Sequence, residues 1–371
     1  MNVFDVSETI VNHIRSAYPE DIAIVAYYGS YAQGTATKRS DLDFFFIPAT
    51  SNGYRASVQF IIDDIGFDFW PISWERAERM ASFKEPQTTI IADCKLLYVR
   101  SDEDCERFMK LRNTISTLQE PKNTLKLVEE AESELRNVYV HLYKLSRAGD
   151  SETITFYKTE AHGVLTKVLQ CLALLNRTYF TKGFGKNKEQ IVQLPLKPAN
   201  LESYMNTIMH GSLITDIVQA CEQLTADTLE LVVAQKGKHS GAPSYSDRMK
   251  GFYEEEKAVL DKIMTACEMN DYETAFFYSI HTQDEVARFL FFAETGHWPC
   301  CLTANSTYQD VYKRAGLPEL VPLLGSRDLS QLQAAVQRLS YLLEKYLQSK
   351  GVVINRFQSI EQFEAFLKKQ R

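Results

Sequence analysis

The 371-residue sequence contains no apolar run near the roughly 18 to 20 residues that cross a bilayer, so no membrane-spanning helix is expected. Its opening segment, MNVFDVSETIVNHIRS, has no basic stretch followed by an apolar core, which argues against a secretory signal. The seven cysteines are odd in number and scattered, and none forms a C-x-x-C pair. A disulfide framework is thereby disfavoured, and reduced thiols in a cytoplasmic setting are expected. A basic stripe is missing as well: 41 Lys and Arg stand against 48 Asp and Glu, for a net charge of −7. Proteins that bind nucleic acid displace counterions from phosphates with clustered cations, so a nucleic-acid partner is not expected. There is no internal repeat and no low-complexity tract.

What remains is an ordinary globular composition, 45% hydrophobic and 24% charged. The length exceeds what one hydrophobic core usually serves, so two domains are expected. The first hundred residues alternate between helix and strand patterns. Residues 3–18 carry apolar side chains at helical spacing and close at Pro19, and residues 21–28 form a short β-rich run that stops at Gly29. Residues 42–48 read as a strand, 58–72 as one strand bent at Gly66, WERAERMASF as a helix and 95–100 as a further strand. From residue 102 onward the spacing is helical almost throughout, over 103–118, 123–148, 152–180, 200–234, 252–269, 271–295 and 328–350. The expectation is an α/β domain at 1–101, a small mixed sheet with helices, followed by an all-α helical domain at 102–371. KGKHSGAPS (236–244) is the most linker-like stretch, where the helical part would divide.

The chemistry concentrates in Gly29-Ser30-Tyr31-Ala32-Gln33-Gly34 and the Ser40-Asp41-Leu42-Asp43 that follows. A glycine after a buried strand permits a tight turn and close approach of backbone to ligand. Ser30 would open a helix whose free N–H groups and hydroxyl suit phosphate. No lysine directly follows the second glycine, so this is not the G-x-x-x-x-G-K-[ST] loop. Asp41 and Asp43, one residue apart on an expected strand, would share a face. Beside Phe44, Phe45 and Phe46 such a pair is costly without compensation, and a hard divalent cation with oxygen ligands supplies it. The whole pattern should arise by chance in roughly one chain in a few hundred.

Gly29-Ser30 with Gly34, then Ser40-Asp41-Leu42-Asp43, resembles the signature of the polymerase-β-type nucleotidyltransferase superfamily over about residues 20–72. Beyond that stretch the likeness is architectural, to two-domain small-molecule nucleotidyltransferases of aminoglycoside and lincosamide type. The resemblance implies an enzyme in which Asp41 and Asp43 hold one or two Mg²⁺ ions on ATP or another NTP. It also implies a third carboxylate on a neighbouring strand: Asp68 within GFDFW is the best match, and Asp64 is the alternative. Asp68 would complete a second metal site or act as general base. A nucleoside monophosphate, AMP by family default, would pass to a hydroxyl of a small molecule with release of pyrophosphate, and antibiotic resistance is one such role. The alternatives are transfer of AMP to a protein, as in toxin–antitoxin systems, and a non-catalytic nucleotide-binding module.

Further residues are weaker. Arg39 and Lys38 lie between the glycines and the aspartates and could meet phosphate. In two-domain relatives the helical domain often offers the nucleotide a cation or an aromatic; Lys158 in FYKTE could play that part, the alternative being a surface lysine beside core aromatics. Glu129, Glu130, Glu132 and Glu134 read as a solvated helix face or, less simply, as a cavity wall attracting a cationic ligand. Arg136 and His141 give an R-x4-H spacing similar to that of HEPN-type ribonucleases, expected here by accident. His297, Cys300 and Cys301 are too few to make a metal site.

Overall fold

A computed structural model describes residues 2–38, 40–149, 152–303, 306–325 and 328–369. An N-terminal mixed sheet with helices is followed by a mostly helical region. The sheet has five strands, β1 (Ile22–Tyr28), β2 (Asp43–Pro48), β3 (Val58–Ile62), β4 (Ile65–Pro71) and β5 (Lys95–Val99), in the order β3-β4-β2-β1-β5. Among the described residues, only the β2–β4 pair is parallel. Phe44, Phe45, Phe46 and Ile47 of β2 are all fully buried. A central strand covered on both faces needs apolar residues at consecutive positions, which explains the FFFI run. One face packs on α1 (Val3–Ala17), where Val3, Val6 and Ile14 join Val25, Phe44, Phe46 and Phe69 in one core. Asn2 caps that helix by accepting from Phe4 N at 3.1 Å.

Between the strands lie α2 (Gly29–Ala32), α3 (Trp74–Ala81) and α4 (Thr88–Ala92). Residues 58–72 are two strands, where the sequence reading has one. Asp63 and Asp64, with φ of 50° and 61°, make the hairpin turn between β3 and β4. Aspartate tolerates the left-handed region, and the turn lets both apolar halves join the same sheet.

The helices continue with α5 (Asp102–Leu118), α6 (Thr124–Arg136), α7 (Val138–Arg147), α8 (Ile154–Leu175), α9 (Lys188–Val192), α10 (Leu201–His210) and α11 (Ile214–Lys238). Thus 123–148 is two helices joined at Asn137, and 200–234 is two helices parted near Gly211. The secondary structure changes character at residue 102, but compactness divides the chain elsewhere, into residues 1–237 and 238–371. The reason is α5, which packs on β1, β5, α3 and α4 and also touches α6. It binds the sheet and the helices through residue 237 into one unit.

The second unit comprises α12 (Tyr245–Arg248), α13 (Phe252–Glu268), α14 (Tyr272–Thr295), α15 (Gln309–Arg314), α16 (Ser330–Ser349) and α17 (Ile360–Lys369). Its core runs along α13, α14 and α16, with Leu260, Ile263, Leu290, Val336, Leu339 and Leu343 at its centre. Glu256 is only 4% exposed within this packing, and its Oε2 has no hydrogen-bond partner. Burial, then repulsion from Glu285 and Glu255, raises its carboxyl from 4.5 to about 7. A raised folded-state value means stability that is full below pH 4.5 and is lost as pH climbs through 7. Glu256→Gln should therefore flatten the decline in thermal midpoint between acidic and mildly alkaline buffer. At alkaline pH the variant should be the more stable by on the order of 2 kcal/mol. A wild-type midpoint that rises with pH through this window would contradict the assignment. No described helix is long and apolar enough to cross a membrane.

Candidate active site

The sheet aligns four polar side chains in one row. Tyr28 on β1 faces Asp43 on β2. The parallel register that pairs Phe44 with Phe69 puts Asp68, one step earlier on β4, beside Asp43. Asp68 in turn faces Gln59 on β3, whose Nε2 donates to Asp68 Oδ1 at 2.7 Å. Cross-strand partners point to the same face, so Tyr28, Asp43, Asp68 and Gln59 stand on one side of the sheet. Trp70, two residues past Asp68 on the same face, donates from Nε1 to the Tyr28 hydroxyl at 3.3 Å.

Asp41 precedes β2, so strand alternation does not align it with Asp43. Both nonetheless line one cleft of about 800 Å³ together with Gly29 and Ser30. Asp43 carries the clearest electrostatic mark. Burial, then the charges of Asp41 and Asp68, raises its carboxyl to about 6. Tyr28 is pushed up to about 12, chiefly by burial and then by Asp43. Asp43 therefore feels both other aspartates, but no three His, Cys, Asp or Glu side chains among the described residues are gathered into a ready metal cage. Asp41, Asp43 and Asp68 as one ligand set is thus a proposal, not an arrangement already formed. Asp68 is exposed, held by Gln59 and absent from the cleft lining, and like charges do not draw together unaided. Asp64, in the hairpin turn, lies at the far end of β4 from Asp43.

Gly29 is fixed by two separate demands. Its φ is +72°, where side chains with a Cβ are strained, and a Cβ built there would meet Asp43 Oδ2 at 2.0 Å. The backbone turn and the carboxylate are packed directly on each other. The helix that follows is only the single turn Gly29–Ala32. Its macrodipole is correspondingly short, so the phosphate-binding capacity here is that of the Ser30 hydroxyl and local N–H groups.

The rest of the lining comes from residues 83–90, from α6 and α8, and from the 178–186 connection. That connection is firmly held. Tyr179 donates to Asp93 Oδ1 at 3.1 Å, Gln190 Nε2 to Tyr179 O at 2.8 Å, and Lys182 N to Asn187 Oδ1 at 3.1 Å. Gln33, just past α2, and Thr89 both donate to Thr181 O. Lys182 and Lys186, on either side of Gly183 and Gly185, thus come to the cleft that Asp41 and Asp43 line. The sequence reading missed them, although a K-G-x-G-K spacing was the signal to be found.

Lys158 is not at this cleft. Its Nζ donates to Ile208 O at 2.8 Å and Met209 O at 3.0 Å, closing the C-terminal turn of α10, where a cation complements the free carbonyls. Arg39 lies outside the described residues. Among the acidic run, Glu132 pairs with Lys236, whereas Glu134 lines the cleft and pairs with Lys167 at 3.1 Å. His141 is engaged by Glu160 at 2.7 Å, and the ring nitrogens of His297 face Ser240 Oγ and Trp298 O.

Residues 7–73 match the family model described as the nucleotidyltransferase domain, and residues 105–238 match the KNTase C-terminal domain. Among solved structures, a nucleotidyltransferase-like protein from Exiguobacterium sibiricum is similar at 12% identity and a TM-score of 0.38. That match covers 62% of this chain and 76% of the other. No curated protein is a detectable match. With these two domains in this order, the chain carries the domain pair of a nucleotidyltransferase, an enzyme that moves a nucleotidyl group from an NTP to an acceptor, and it resembles the polymerase-β-type enzymes of aminoglycoside nucleotidyltransferase kind.

Proposed function

We propose that the chain transfers a nucleoside monophosphate, AMP from ATP, to a hydroxyl of a small molecule and releases pyrophosphate. The observation that carries this reading is the convergence of Ser30, Asp41 and Asp43 on one cleft, with Gly29 packed against the Asp43 carboxylate. Mg²⁺ fits the donors present: two hard carboxylates, one of them half-buried and crowded by like charge. Such an ion commonly takes one or two carboxylates and completes its shell with substrate phosphates, so a three-carboxylate cage is not required. When bound, it neutralises charge on the triphosphate and polarises the phosphoryl under attack.

The protein's part is placement. Ser30, Lys182 and Lys186 line the same cleft as Asp41 and Asp43 and would hold the triphosphate there. The acceptor oxygen attacks the α-phosphorus, the bond to the bridging oxygen breaks, and pyrophosphate leaves with that electron pair. The hydroxyl proton needs a carboxylate within reach. Glu134 lines the cleft and Asp68 does not, and both Lys167 and Asn137 hold Glu134 Oε2, which leaves Oε1 to accept. Asp68 contributes negative charge beside Asp43.

If the two lysines meet the triphosphate, Lys182→Ala combined with Lys186→Ala should raise the KM for ATP by about 10-fold or more. The melting temperature should hold, since both side chains are exposed. Steady-state pyrophosphate release against ATP concentration measures it. An unchanged KM would remove these lysines from the nucleotide site.

A further inference from the structure

Phe83 stands where glycine is the usual residue. It is the first residue past the cap of α3, with φ of +62°. Phe83 N donates to Met80 O at 3.2 Å and Lys84 N to Arg79 O at 3.0 Å, the paired bonds of a left-handed helix stop. A bulky side chain in that conformation costs roughly as much as a lost hydrogen bond, so something must favour it there. The ring is 6% exposed, packs with its centroid 6.3 Å from that of Tyr179, and belongs to the cleft lining together with Ile90, Leu174 and Phe180. Charge gives an independent second observation. Apart from Asp41 and Asp43, the cleft's carboxylates are Glu85 and Glu134, and each already has a cation. Arg76 and Arg79 hold Glu85 at 3.0 and 2.8 Å, and Lys167 holds Glu134. Lys182 and Lys186 add further positive charge.

We infer that the acceptor side of this cleft takes a hydroxyl compound with an uncharged, apolar face against Phe83, and that it does not take a polycation. A polycation needs carboxylates free to meet several ammonium groups, and beyond the pair committed to the metal and phosphates the walls offer it only Glu134 Oε1. An apolar or aromatic acceptor gains instead from Phe83, Ile90 and Leu174 while its hydroxyl projects toward the α-phosphorus. The inference rests on the nucleotidyl-transfer reading for the word acceptor, but the binding preference can be measured without turnover.

Calorimetric titration of the full chain, with Mg²⁺ and a non-hydrolysable ATP analogue present, would compare phenyl β-glucoside, octyl β-glucoside and kanamycin. At least one neutral glucoside should bind at least about 10-fold more tightly than kanamycin, with little dependence on salt. Phe83→Gly relieves the backbone and removes the ring, so it should weaken that glucoside by about 10-fold while leaving the KM for ATP nearly unchanged. Phe83→Leu, which keeps apolar bulk should the glycine variant fold poorly, should lose less. Tighter binding of kanamycin that falls steeply with salt would overturn the inference, as would failure of both glucosides to bind. A rise in the KM for ATP in place of the glucoside effect would assign the wall to the nucleobase and overturn it as well. If the binding preference holds but Asp43→Asn leaves pyrophosphate release intact, the transfer reading fails while the ligand class stands.

Discussion

Asp43→Asn is expected to lower pyrophosphate release about 1000-fold or more while leaving the fold intact. Asparagine keeps the shape of the side chain, so Gly29 still packs against it and the row across the sheet is preserved. What is lost is the charge that a divalent cation needs, at the aspartate on which Gly29 packs. The change should not weaken the protein. The carboxylate is half-buried beside Asp41 and Asp68, and removing it relieves that repulsion. A thermal midpoint that holds or rises while activity collapses is the pattern of a site that trades stability for function. A variant equally inactive but with a midpoint several degrees lower would instead place Asp43 among structural residues.

Gly29→Ala should be the second most damaging single change, and Gly34→Ala provides its control. Both glycines have positive φ, +72° and +69°, so an added methyl carries a similar backbone penalty of about 1 kcal/mol in each. The surroundings differ. At Gly34 nothing lies within 4 Å of the new Cβ, whereas at Gly29 it would fall 2.0 Å from Asp43 Oδ2. The carboxylate or the turn must therefore move, and either shift displaces the phosphate relative to Asp43. A misplacement of this size costs about 100-fold in rate. Gly29→Ala should lose activity on that scale, while Gly34→Ala loses only stability and keeps its kcat. Equal effects in the two variants would mean that backbone strain alone, without the contact to Asp43, explains Gly29.

The catalytic face was legible because its parts lie close together in the chain. Gly29, Ser30, Asp41 and Asp43 fall within fifteen residues, and the strand-turn-strand grammar around them fixes the facing of Asp43 but not of Asp41, which precedes β2. Asp68 was reachable by strand placement, but its position outside the cleft lining was not, because that depends on Gln59 across the hairpin. The hairpin itself was hidden by VQFII and IGFDFWP, two apolar runs joined by Asp-Asp, a turn less telling than Asn-Gly. The rest of the cleft lining is a tertiary product. Lys158 and Lys182 are both basic residues near the ends of α8, and helical spacing cannot tell which end meets the sheet. The answer came from Thr181 O, bound by Gln33 and Thr89, and from the α10 carbonyls that occupy Lys158. Glu134 likewise looked like one more member of an acidic face until α6 packed on α8 and brought Lys167 to it.

The central claim is that Asp41 and Asp43 direct attack at the α-phosphorus. Its most direct measurement uses ATP radiolabelled at the α-phosphorus, with Mg²⁺ and a hydroxyl acceptor that the wild-type chain modifies. Label should appear in the acceptor in step with pyrophosphate release, and both should vanish in the Asp41→Asn, Asp43→Asn double variant. Pyrophosphate release that persists in the double variant, or label that stays with ADP while the γ-phosphate alone is lost, would contradict it.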